Sequence, residues 1–80
     1  MPYIVAANRE PLRTRLYIPG NSGELNFVLT DLVTKYLGTH PDYERFNSVV
    51  GVLESCKLEL YRRRMAPYED SKKEQNGDVY

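Results

Sequence analysis

Between Pro41 and Pro67 the chain runs twenty-five residues without a proline. Within that run Tyr43, Phe46, Val49, Val50, Leu53, Cys56, Leu60 and Tyr61 recur as one apolar stripe at helical spacing. A helix over residues 42–65 would extend roughly 36 Å at 1.5 Å per residue. A compact globule of 80 residues has a radius of gyration near 12 Å, hence a diameter of about 30 Å. The helix therefore matches or overshoots its own domain. An antiparallel helix pair with such an overhang is a natural seed for a dimer.

The partner within the chain is a helix over 22–37. Asn21 followed by Glu24 reads as a capping box, in which the Asn oxygen accepts an orphan N–H and Glu24 reaches back. Leu25, Val28, Leu29, Leu32, Val33, Tyr36 and Leu37 keep the period, and Asp31 with Lys35 forms a favourable i,i+4 pair. Gly38 ends the helix, because glycine enters positive φ cheaply. Pro41 fits the first position of the long helix. Gly51 inside it costs roughly 1 kcal/mol against alanine, and close packing against another helix is the plainest reason for it.

Pro67 removes an N–H and disfavours a helical Ala66, so the long helix is expected to end or kink there. A short helix over 67–75 can start at Pro67, with Glu69 pairing to Lys72 and Lys73 and with Asn76-Gly77 as its stop. Residues 1–20 form an N-terminal arm and 21–80 a helical domain that includes the tail. In the arm, residues 3–6 read as a strand or a packed arm. Residues 8–17 can hold a short helix with Pro11 in its first turn and Leu12 and Leu16 on one face. The predicted class is all-α: a helical hairpin with a long second helix and a short C-terminal helix after Pro67, dimeric.

Composition narrows the chemistry. One cysteine, Cys56, forms no internal disulfide, and with the single histidine, His40, it cannot close a zinc site. A domain this small is marginal without a staple, so oligomerisation is the expected stabiliser. The single cysteine fits a reduced, cytoplasmic setting. No stretch approaches the roughly 20 apolar residues of a membrane span, and Met1-Pro2-Tyr3 lacks the basic start of a signal peptide. Lysines plus arginines equal aspartates plus glutamates at 11 each, so there is no global basic footprint for nucleic acid. The ends differ, however. Residues 1–20 are basic through Arg9, Arg13 and Arg15, and residues 66–80 are acidic through Glu69, Asp70, Glu74 and Asp78. Such ends can meet within one chain or between two.

Three readings compete for the function. Glu24, Glu54 and Glu59 offer carboxylates to a metal-dependent nucleotide pyrophosphohydrolase. The spacing departs from that pattern: Glu54 precedes Lys57 by three residues and Glu59 precedes Arg62 by three, as surface ion pairs do. Arg62, Arg63 and Arg64, with Arg13 and Arg15, could contact phosphates of nucleic acid, but successive helical residues splay by about 100°. Complementing the helix dipole explains the three arginines more simply. Cys56 reads as a small buried hydrophobe, and nothing brings His40 to it. No catalytic, metal or cofactor residue is assigned. The seven tyrosines suit half-wet interfaces; Tyr36, Tyr43 and Tyr61 read as core edge, Tyr68 and Tyr80 as interface.

The segments Gly23-Glu24-Leu25-Asn26, Tyr61-Arg62-Arg63, Ala66-Pro67-Tyr68-Glu69-Asp70 and Asn76-Gly77-Asp78-Val79-Tyr80 together resemble a small uncharacterised domain family of phage and bacterial genomes. The resemblance covers residues 23–80 and leaves the first 20 unplaced. It implies no mechanism, but it implies that the C-terminal tail is ordered and docked. The reading is thus a non-enzymatic interaction or accessory protein, homo-oligomeric. Its interface is expected at Tyr61, Arg62, Arg63, Tyr68, Glu69, Asp70, Val79 and Tyr80. There Tyr68, Val79 and Tyr80 bury against a partner helix while Glu69 and Asp70 meet arginines.

Overall fold

A computed structural model describes residues 3–80; Met1 and Pro2, and what the sequence suggested for them, lie outside the described residues. The chain is all-α, with no strand among the described residues. Helix α1 spans Ala6–Arg13, α2 Ser22–Leu37 and α3 Tyr43–Leu60; a π-helical turn follows at Tyr61–Met65, and α4 spans Ala66–Asn76.

The α2 boundaries follow from its caps. Asn21 is extended, and its Oδ1 accepts the Glu24 amide at 2.9 Å. Glu24 reaches back one residue further than a capping box requires and accepts the Gly20 amide at 2.9 Å. Gly38 ends the helix at φ 74, where a Cβ would be strained. Asp31 and Lys35 pair at 2.7 Å. Helix α3 starts at Tyr43, two residues later than the proline suggested. Asp42, not Pro41, is its boundary, because the Asp42 Oδ1 accepts the Arg45 amide at 2.9 Å and supplies the cap that proline cannot.

At Pro67 the structure departs from a simple stop. Helix continues from Tyr43 through Asn76, and Ala66 keeps helical angles at φ −62, ψ −46. The expected short C-terminal helix is present as α4, joined to α3 through the π turn. Proline offers no N–H to the carbonyl four residues back, and its ring crowds that carbonyl. Widening the preceding turn relieves the crowding: the Ala66 amide bonds to the Tyr61 oxygen, five residues back. Gly77 then ends α4 at φ 88.

The arm also differs in detail. Helix α1 begins at Ala6, so Pro11 sits inside it rather than in its first turn. The helix unwinds just beyond, through three-residue bonds from Arg15 to Leu12 and Leu16 to Arg13. Leu16 therefore lies outside the helix and shares no helical face with Leu12.

Helices α2 and α3 form the expected hairpin, but it encloses no core: among the described residues none is buried. Two helices touch along a seam, and the rest of each apolar face stays in water until another layer covers it. Tyr36, Tyr43, Tyr61 and Cys56, expected at or near a core, are all exposed. Around Gly51 an added Cβ would meet nothing within 4 Å, so no helix of this chain packs closely there. Helix α1 approaches no other helix within 8 Å, and α4 approaches neither α1 nor α2. The result is elongated, 51 × 29 × 28 Å with a radius of gyration of 16.5 Å, against about 12 Å for a compact chain of this length.

Candidate interaction surface

Two regions carry the residues singled out from the sequence. One surrounds the start of the π turn, where the N-terminal arm returns to the long helix. The Tyr3 hydroxyl donates to Glu59 Oε2 at 2.9 Å and stands 3.5 Å from Arg63 Nη1, which donates to it. Arg62 Nη2 meets both Glu59 oxygens at 3.3 Å. The Glu59 carboxyl is held below its ordinary 4.5, first by the Tyr3 hydrogen bond, then by hydrogen bonding and charge from Arg62 and by the charge of Arg63, against partial desolvation. Val52, Cys56, Leu60 and Arg64 complete an open hollow here. The sequence paired Glu59 with Arg62 but not with Tyr3, since the two residues lie 56 positions apart.

The second region is α4 with the tail. Reversal at Gly77 leaves Val79 and Tyr80 beside Tyr68, Glu69 and Asp70 around a shallow hollow. Within the single chain the tail buries little: Val79 is 91% exposed and Tyr80 fully so. Its one local anchor is the Tyr80 amide, which donates to Asp78 Oδ1 at 3.0 Å. The Tyr61 phenol is held above its ordinary 10.0, first by a hydrogen bond with the Glu69 carboxylate and then by the negative charge of Glu69, with smaller contributions from Tyr80 and Asp70. Tyr61 and Glu69 share a face because the π turn re-phases α4.

Expected pairs on α4 do not form. Neither Glu69 nor Asp70 makes an ion pair among the described residues. Instead the Lys72 ammonium lies 5.7 Å over the Tyr68 ring. The structure brings Tyr61, Glu69 and Asp70 together and groups Arg62 and Arg63 with Tyr3. It brings Glu69 and Asp70 to no arginine of the same chain.

The carboxylates of the enzymatic reading are occupied singly. Glu24 caps α2, Glu54 pairs with Lys57 at 3.3 Å, and Glu59 serves Tyr3 and Arg62. No group of three or more His, Cys, Asp or Glu among the described residues could hold a metal ion. Of the arginines read for phosphate, Arg13 pairs with Glu10 at 2.8 Å, and Arg62 and Arg63 are engaged as described. No helix among the described residues is long and apolar enough to cross a membrane.

What dominates the surface is apolar. Leu25, Leu29 and Leu32 on α2, Phe46 and Leu53 on α3, and Met65 and Tyr68 beyond them are all exposed. Between α2 and α3 an open groove is lined by Leu32, Val33, Tyr36, Val49, Val52 and Leu53, with Ser48 beside them. Sequence periodicity found the α2 residues and Phe46, Val49 and Leu53 of α3 but assigned them to a core; it did not single out Val52 or Met65.

A family model described as a domain of unknown function (DUF6899) matches residues 1–79. The match takes in the N-terminal arm, which the resemblance read from residues 23–80 had left out. No curated protein and no solved structure matches the chain.

Proposed function

We propose, since the chain belongs to this family of unknown function and inherits no activity from it, that it is a non-enzymatic interaction protein that works as a homo-oligomer. One observation carries the reading. The chain exposes 7534 Å², whereas a compact monomer of 9.3 kDa exposes about 5,000 Å² by the size scaling of folded proteins. The difference, roughly 2,500 Å² per chain, has the size that obligate homodimers bury. The exposed surface is also rich in the residues such interfaces use, with leucine, phenylalanine, tyrosine and methionine all exposed.

The interface includes Tyr61, Arg62, Arg63, Tyr68, Glu69, Asp70, Val79 and Tyr80. Glu69 and Asp70 without ion pairs, and Val79 and Tyr80 without cover, fit contacts made to a second chain. Sedimentation equilibrium across a hundredfold concentration range tests the assembly, and a mass of 9.3 kDa throughout would overturn it. Turnover of any common nucleotide with Mg²⁺ would overturn the non-enzymatic part. Deleting residues 67–80 is expected to lower the assembly mass or the melting temperature; an unchanged melt and mass would remove the tail from the interface.

A further inference from the structure

Beyond residue 59 the long helix has no helical neighbour in its own chain. Its final part, Leu60–Asn76, is a seventeen-residue rod of about 25 Å. A lone helix of that length is marginal in water and takes its stability from packing. The rod carries a stripe, Tyr61, Met65 and Tyr68, continued by the aliphatic stem of Lys72. Helix α2, at sixteen residues, is about 24 Å long, and the groove it forms with α3 is open and almost wholly apolar. The chain thus presents an uncovered rod and, beside a helix of matching length, an uncovered groove, at opposite ends of one continuous helix.

Resting on the interaction reading above, we propose that the Leu60–Asn76 rod of one copy seats on the α2–α3 face of a second copy, and that the second copy returns the same contact. The two long helices then run antiparallel about a two-fold axis near Glu59 and Leu60. The contact is isologous and closed, so it stops at two chains. Each end becomes a three-helix layer, which gives both apolar faces the cover they lack. Charge favours this direction. Parallel helices would set Arg62, Arg63 and Arg64 against the same three residues. The antiparallel alignment sets them against residues 55–57 of the second copy, where Glu54 and Glu59, about a turn away or less, outnumber the one cation, Lys57. The roughly 2,500 Å² of excess surface per chain is what such a double contact would remove.

Two measurements on the full chain decide it. With Cys56→Ser and Glu74→Cys, a spin label at residue 74 reports its distance to the same label on the second copy. The antiparallel arrangement sets the two about 42 Å apart, from twenty-eight residues of rise; a parallel pair sets them within about 20 Å, two helix diameters. Tyr68→Glu is the second variant. Tyr68 is 61% exposed in the single chain, so the substitution leaves each chain's own helices intact, which circular dichroism checks. It is expected to raise the dimer dissociation constant at least tenfold. A short label distance, or a Tyr68→Glu dimer of unchanged affinity, overturns this arrangement while leaving the oligomer standing. A wild-type chain that stays monomeric overturns both.

Discussion

The Arg45 guanidinium lies 4.2 Å from the centre of the Tyr36 ring and donates two hydrogen bonds, of 2.7 and 3.0 Å, to the Tyr36 carbonyl. One side chain thereby does two jobs. It satisfies a carbonyl in the last turn of α2, where the helix dipole favours positive charge, and it closes the hairpin from the first turn of α3. Arg45→Lys keeps the charge but loses the planar fork and the stacking. It is expected to cost about 1 kcal/mol, the net worth of an ordinary hydrogen bond, since the lysine keeps the charge. Urea unfolding at fixed protein concentration measures it, and a cost equal to that of a distant surface substitution would show that the clamp contributes nothing.

Two glycines of this small chain should respond with opposite sign. Gly51 lies inside α3 with nothing within 4 Å of a built Cβ, so Gly51→Ala is expected to stabilise by roughly 1 kcal/mol through helix propensity. Gly38 sits at φ 74, and Gly38→Ala is expected to destabilise by about 1 kcal/mol or more, because the new Cβ is strained there. Melting curves of the two variants beside wild type are sufficient. Matching signs would contradict the assigned backbone.

Acid should release the N-terminal arm. The Glu59 carboxyl binds its proton more weakly in the folded chain than when unfolded, so its contribution is present above the ordinary 4.5 and is lost as pH falls through the lower folded value. The Tyr3 hydroxyl then loses its charged acceptor. Chemical shifts of the Tyr3 ring and amide, followed from pH 7 downward, are expected to move together with the Glu59 carboxyl, below 4.5 and not above. In Glu59→Gln the same shifts should be displaced at neutral pH and should no longer titrate with that group.

Pro67→Ala restores an N–H and removes the ring that crowds the preceding turn. The π turn at Tyr61–Met65 is then expected to tighten to an α turn. Because Pro67 lies within a continuous helix, the helix itself should gain on the order of 1 kcal/mol or more. Tightening also rotates α4 relative to α3, which separates Tyr61 from Glu69 and redirects Tyr68. A more protected helix in amide exchange, together with an ordinary tyrosine titration at Tyr61, would be the signature. Retention of the π turn in the variant would assign it to some cause other than the proline.

Much of the secondary structure was legible because it is decided locally. Asn21, Glu24, Asp31, Lys35 and Gly38 act within one or two turns of themselves, and each does in the structure what its position suggested, save that Glu24 reaches the Gly20 amide instead of the Asn21 amide. The apolar stripes were legible for the same reason. Where they would be satisfied was not, since a period of 3.6 says which residues share a face and nothing about what covers it. Hence Tyr43, at 79% exposure, was assigned to a core edge that one chain does not possess.

The sequence by itself determined an all-α chain, the ends of α2, the presence of a long second helix and the ion pairs Glu54–Lys57 and Glu59–Arg62. These rest on neighbours within a few residues, whose geometry the helix fixes. Only the tertiary structure decided that Pro67 is absorbed by a π turn, that Arg45 clamps Tyr36, and that Tyr3 returns to Glu59. Each of these depends on what stands in space beside a group. The first weighs one lost hydrogen bond against the rest of a long helix, and the other two close loops whose ends the sequence holds far apart.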